Sequence, residues 1–134
     1  LALAAVLVLS GTGWAKPSSA PGVPGDLSGD RTSATVSVSE QCAAPVDPLA
    51  PPTSGTVSVY ILQSVGRLIN IGIGNGVAVP CDGATLTQDV TVYAIPGLTF
   101  QPGPATMLIR FTATDPTDPT KTIVSEQGFR VNLK

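Results

Sequence analysis

The chemistry open to this chain is limited first by the ionisable side chains that it lacks. Its 134 residues include no histidine and only two cysteines, Cys42 and Cys81. Histidine is the side chain that titrates near neutral pH without help from its surroundings, and it is the commonest general acid or base. A serine or threonine nucleophile would need another base, and the lysines lie at the margins of the chain or in a turn. We therefore expect no catalytic residues, no enzymatic activity and no cofactor.

Two pairs of carboxylates could still carry chemistry. Asp115 and Asp118, in the sequence DPTDPT, could offer oxygen ligands to calcium, which takes about 6 to 8 of them. Asp82 and Asp89 could act as the two carboxylates of a glycoside hydrolase. Asp-Pro and Asp-Gly steps are also ordinary turn formers, and no aromatic residue is evident beside Asp82 to hold a sugar. The pattern favours turns in both cases, with calcium at Asp115 and Asp118 as the alternative.

The two cysteines predict one disulfide, between Cys42 and Cys81. Paired cysteines in an exported chain usually form such a bridge in an oxidising compartment. The alternative is a metal site, but without histidine or further cysteines its ligand set would be incomplete. We expect no resident metal.

The first residues favour export of the protein. Residues 1–9 read LALAAVLVL, and small residues, Gly13 and Ala15, stand at the positions that signal peptidase prefers, with cleavage after Ala15. The alternative is that residues 1–15 are retained as an apolar assembly segment. Either way the run is shorter than the ~20 residues of a membrane span, so no stable span is expected. We predict a secreted or cell-surface location.

The charge of the chain argues against nucleic acid as a partner. Charged residues make up 12% of the sequence and the net charge is −2. There is thus no basic surface to attract a phosphate backbone.

Alternating side chains predict strands along most of the remaining chain. Residues 16–32 read as a flexible, Pro/Gly-rich lead-in, and the alternation begins at Ser33, where apolar positions share one face with the interruption Glu40. A proline-rich loop is predicted over residues 43–54, and a hairpin with its turn at Gly66-Arg67 follows. After this turn the inward-facing apolar pattern is continued by Ile69, Ile71 and Ile73. Gly72, Gly74 and Gly76 superficially resemble a phosphate loop, but they fit a closely packed strand better. Further strands are predicted over residues 77–81, 86–95, 105–113 and 121–134, the third of them central.

About seven short strands separated by turn signals, with no helical pattern after the leader, predict an all-β fold. We expect an immunoglobulin-like antiparallel β-sandwich over residues 33–134. Cys42, the VSVYI strand, the turn Pro80-Cys81-Asp82-Gly83 and the turn Pro102-Gly103-Pro104-Ala105 together resemble small exported bacterial domains of unknown function. This resemblance implies an immunoglobulin-like domain outside the cytoplasm and supplies no catalytic residues.

Three apolar residues lie on strand faces that otherwise read as polar: Tyr60, Leu62 and Leu108. If strands 55–65 and 105–113 are neighbours, these side chains could form an exposed patch of the kind that marks interfaces. The alternative is that they are isolated surface residues, which are common. We predict a non-catalytic binding or interaction module for an unknown protein or cell-surface partner, with self-association possible. The alternatives are a structural subunit of a filament or cell-surface assembly, and a carrier of a small apolar ligand.

Overall fold

A computed structural model describes residues 23–134 in full and the backbone of residues 5–9. These residues form nine strands and no helix. The strands are β1 (Ala5–Leu9), β2 (Val23–Leu27), β3 (Ser33–Cys42), β4 (Ser54–Val65), β5 (Leu68–Asn75), β6 (Val79–Pro80), β7 (Thr85–Ala94), β8 (Gly103–Asp115) and β9 (Asp118–Leu133).

Seven of the strands close into a β-barrel, in the order β2-β3-β7-β5-β4-β8-β9 and back to β2. The predicted immunoglobulin-like sandwich is therefore wrong, although the all-β class is confirmed. A sandwich keeps two sheets with free edges, whereas here two junctions join those edges. One is a short β5–β7 contact, where Gly72 pairs with Ala94 and Ile73 with Tyr93. The other is β2, which pairs antiparallel with β3 and parallel with β9.

Strand β2 comes from the segment predicted to be a flexible lead-in. Gly25 pairs with Val36 of β3 on one side and Leu133 of β9 on the other. The Pro/Gly-rich composition suggested a loop because proline and glycine are rare inside sheets. The strand forms because it connects two edges that would otherwise be unpaired.

The interior of the barrel is filled by the alternating residues that the sequence indicated for β3, β4 and β8. Met107, Ile109 and Phe111 of β8 are fully buried, and β8 pairs with both β4 and β9, so its predicted central position is confirmed. The hairpin between β4 and β5 is also confirmed, with Gly66 at a φ of 61° in its turn. Such a positive φ is costly for a residue with a Cβ atom.

The loop between β7 and β8 closes one part of the barrel. Its Phe100 is fully buried, and the loop is held by side-chain amides of the neighbouring strands. Gln63 donates to the carbonyl of Gln101 (2.7 Å) and accepts from its N–H (2.8 Å), while Asn70 donates to the carbonyl of Thr99 (2.6 Å). Both amides are buried, and these bonds satisfy polar atoms that would otherwise be costly to bury.

The predicted disulfide between Cys42 and Cys81 is confirmed. It joins the end of β3 to the turn after β6, across a sequence separation of 39 residues. The proline-rich loop predicted over residues 43–54 is also found, since it lies between the end of β3 and the start of β4 at Ser54.

The apolar N-terminal run contributes strand β1, which pairs with a part of β3 that β2 does not reach. Ala5–Leu9 pairs in parallel with β3, from Ala5 opposite Val38 to Leu9 opposite Cys42. The pairing is with the chain's own β3. The predicted cleavage position after Ala15 lies outside the described residues.

Candidate functional site

The three predicted interaction residues lie on the outer surface of the barrel. Tyr60 and Leu62 belong to β4 and Leu108 to β8, and these strands pair with Tyr60 directly opposite Leu108. The strands are thus neighbours, which was the condition for a shared patch. Tyr60 and Leu108 are half-buried and Leu62 is exposed, whereas the alternate residues of both strands point into the core.

The isoleucines of β5 also lie on this outer surface. The prediction that the apolar positions of this strand face the core is therefore wrong. Ile69, Ile71 and Ile73 point outward, and the intervening Gly72 and Gly74 point into the barrel. Glycine is required at these two positions because the interior of the barrel leaves no room for a Cβ atom. A Cβ atom on Gly72 would lie 2.5 Å from Cζ of Phe100 and 2.9 Å from Cγ1 of Val92. The interpretation of these glycines as a closely packed strand is therefore confirmed.

Together these residues form rows that cross the sheet. The first row runs over four strands, because Leu108 pairs with Tyr60, Tyr60 with Ile73, and Ile73 with Tyr93. Side chains at directly opposite positions approach to ~5 Å between Cβ atoms. A second row places Leu62 opposite Ile71, whose carbonyl accepts a hydrogen bond from the N–H of Ile95 (3.1 Å). We call this surface the outer apolar face; its members are Tyr60, Leu62, Ile69, Ile71, Ile73, Tyr93, Ile95 and Leu108.

The outer apolar face carries no charged residue and is bordered by arginines. Arg110 follows Leu108 by two positions on the same side of β8 and pairs with Glu126, Nη2 to Oε1 at 2.6 Å. The hydrogen bond to this carboxylate raises the pKa of Arg110 above its ordinary value. Arg130 lines, together with Leu62, a shallow depression of about 290 Å³. The charges thus lie at the border of the face and not within it.

A buried carboxyl lies inside the barrel, at the position that interrupts the apolar face of β3 in the sequence. Glu40 of β3 has no exposed surface, and its Oε1 has no hydrogen-bond partner in the described part of the chain. Its Oε2 is 3.5 Å from Nε2 of Gln88, which makes at most a weak hydrogen bond. Burial raises the pKa of Glu40 to about 7, against the smaller opposite effect of Gln88. The sequence indicates this buried group by placing a glutamate in phase with the apolar residues of a strand.

The candidate calcium ligands are engaged by their own turns. Oδ1 of Asp115 accepts hydrogen bonds from the N–H and the hydroxyl of Thr117, both at 2.8 Å. Oδ1 of Asp118 accepts the equivalent pair from Thr120, and its Oδ2 is 3.9 Å from Nζ of Lys121. Among residues 5–9 and 23–134, no three His, Cys, Asp or Glu side chains are grouped so that they could hold a metal ion.

The proposed pair of hydrolytic carboxylates consists of two exposed residues. Asp82 accepts a hydrogen bond from the N–H of Ala84 (2.9 Å) within its own turn. Asp89 lies on the outer side of β7, opposite Ser37 of β3. Both carboxylates are exposed, whereas the carboxyl of Glu40 is buried.

Comparisons with protein-family models, with curated proteins and with solved structures find no match to this chain. The resemblance to small exported bacterial domains therefore stays a prediction. Within the described ranges, no helix has the length and apolar character needed to cross a membrane.

Proposed function

We propose that this protein is an exported, non-catalytic interaction module whose recognition surface is the outer apolar face. The occupant that the geometry favours is the same face of a second copy. The observation that carries the proposal is the uninterrupted row of Leu108, Tyr60, Ile73 and Tyr93 across four strands. The Cys42–Cys81 disulfide supports an oxidising, extracellular location.

The size of the face supports a role in binding. Ile69 is 60% exposed, Ile73 50% and Tyr93 64%, and Ile73 pairs directly with Tyr93. With ~180 Å² for each large side chain, the exposed apolar area is roughly 600 Å². This is at the upper end of the roughly 300–600 Å² found for the largest apolar patch on a typical monomer, and it approaches the ~800 Å² that each partner contributes to a standard interface.

The lack of charge on the face supports a second copy as the occupant. In a two-fold dimer, the same patch of both subunits is buried, so the patch must be complementary to itself. A charged face would therefore bring like charges together, whereas the rows of isoleucine, leucine and tyrosine are compatible with their own copies. Two such sheets pack face to face at ~10 Å with nearly aligned strands. The bordering charges of Arg110 and Glu126 already neutralise each other within one chain.

Sedimentation velocity on the full chain tests this proposal. We expect a monomer–dimer equilibrium at roughly micromolar concentration, the weak end of the range for interfaces of this size. Ile73→Lys places a charge in the first row and should shift the protein to monomer. Val124→Lys is the matched control, because Val124 is 48% exposed on β9, outside the face.

Three results would contradict the proposal. The first is a protein that stays monomeric up to about millimolar concentration. The second is a dimer that survives Ile73→Lys, and the third is a dimer that Val124→Lys disrupts as much as Ile73→Lys does. The first would also be the result if the face bound only a different protein.

A further inference from the structure

A second surface feature, whose lining shares no residue with the outer apolar face, has the form of a small-molecule site. A cleft of about 490 Å³ lies between the proline-rich loop after β3 and the turn that joins β8 to β9. This volume falls in the range of ~300–1,000 Å³ that is usual for ligand sites. Because each wall comes from a different part of the chain, the cleft exists only in the folded protein.

The walls of the cleft are mostly apolar, and four prolines restrict their conformation. Pro45 and Pro51 line it from the loop, and Pro116 and Pro119 line it from the turn. The ring of proline fixes φ, so these segments lose little conformational freedom when a ligand binds. The two walls are joined by a hydrogen bond from the N–H of Val46 to the carbonyl of Pro116 (2.9 Å).

The charged residues that line the cleft within residues 23–134 are both acidic. Asp47 contributes a carboxylate from the loop and Asp115 contributes another from the turn, and no lysine or arginine of this range lines the cleft. Lys121, the cation nearest in sequence, has its Nζ 3.9 Å from the carboxylate of Asp118. Hydrogen bonds from Thr117 hold the pKa of Asp115 below its ordinary value, so this group is ionised at neutral pH.

Both carboxylates are also held in position by the backbone. Oδ1 of Asp47 accepts from the N–H of Leu49 (2.9 Å), and Oδ1 of Asp115 accepts from the N–H of Thr117 (2.8 Å). A ligand that used these groups would meet anions with a fixed orientation, between apolar walls. The complementary molecule has an apolar body and one positive charge.

We propose that this cleft binds a small organic cation, with its apolar body between the proline walls and its charge toward Asp47 and Asp115. The inference is independent of the outer apolar face and concerns a separate function, that of a receptor or carrier for such a molecule.

Heteronuclear NMR titration of the full chain tests the proposal with two probes of the same shape. The cation is meta-hydroxyphenyltrimethylammonium, and its uncharged isostere is meta-tert-butylphenol. We expect the cation to shift amide signals of residues 45–53 and 114–119 and to bind at least about fivefold more tightly than the isostere. Asp47→Asn and Asp115→Asn should each reduce this ratio, and the double variant should bring it close to one.

The variants retain the local structure, because asparagine forms the same side-chain turn as aspartate. Asp82→Asn is the matched control: Asp82 accepts the same type of bond, from the N–H of Ala84 at 2.9 Å, and it does not line the cleft. It should leave the ratio unchanged. Equal binding of the two probes, shifts confined to other residues, no shifts up to about ten millimolar probe, or an equal effect of Asp82→Asn would each overturn the proposal.

Discussion

Replacement of Glu40 by glutamine should remove a pH-dependent loss of stability from this protein. Burial raises the pKa of Glu40 from an ordinary value of 4.5 to about 7. Between these two values the folded protein holds a proton that the unfolded chain has released. The free energy of unfolding therefore falls as the pH rises through this interval. The contribution of Glu40 to the free energy of unfolding is fully present below pH 4.5 and is lost above about pH 7.

The magnitude follows from the width of that interval. Each pKa unit corresponds to about 1.4 kcal/mol, so the interval from 4.5 to about 7 corresponds to roughly 3 kcal/mol. Glutamine has nearly the same shape as glutamate and carries no charge at any of these pH values. We expect Glu40→Gln and the parent protein to have similar free energies of unfolding near pH 4, and the variant to be more stable by roughly 3 kcal/mol near pH 8.

Urea denaturation at a series of pH values measures the free energy of unfolding of both proteins and its dependence on pH. The matched control is Glu126→Gln, in which an exposed glutamate loses its ion pair with Arg110. This change should cost less than about 1 kcal/mol and leave the pH dependence in place. The reasoning would be refuted if the parent showed no loss of stability between pH 4.5 and 7, if Glu126→Gln removed that loss equally, or if Glu40→Gln were the less stable protein near pH 8.

Two further predictions concern the framework of the barrel. Joint replacement of Cys42 and Cys81 by serine should lower the free energy of unfolding by roughly 3 to 4 kcal/mol, because the bridge restricts a long loop in the unfolded chain; a loss below about 1 kcal/mol in guanidinium denaturation would contradict this. Gly72→Ala should cost about 1 to 3 kcal/mol, since its Cβ atom would press on Phe100. Gly29→Ala, with no atom within 4 Å of the added Cβ, should change the unfolding midpoint very little, and equal effects at the two glycines would argue against the tight packing at β5.

The outer apolar face could be predicted only in part. The sequence identified Tyr60, Leu62 and Leu108 because they interrupt polar positions of strands whose other face is clearly apolar. The isoleucines of β5 were assigned to the core by the same hydrophobicity rule, which was wrong there. Alternation divides a strand into two faces without saying which one is inside. In β5 the available space decided this, because only glycine fits beside Phe100.

Glu40 shows a related limit of sequence reasoning. Its position in β3 is in phase with Ala34, Val36 and Val38, so the alternation itself placed it on the inner face. Hydrophobicity argues that a charged residue avoids such a position. The structure keeps it there with Gln88 as its neighbour and a pKa raised by burial. Only the tertiary contacts reveal that environment.

The amino-acid sequence alone determined most of the strands, the β4–β5 hairpin, the proline-rich loop and the disulfide partners. These depend on side-chain alternation, on turn residues and on a count of two cysteines, all of which are local or compositional. The tertiary structure decided that the sheet closes into a barrel, that β2 forms within the lead-in, and that loops far apart in sequence make one cleft. Those outcomes depend on which strand edges meet, and pairing between distant edges is a property of the whole chain and not of any segment in it.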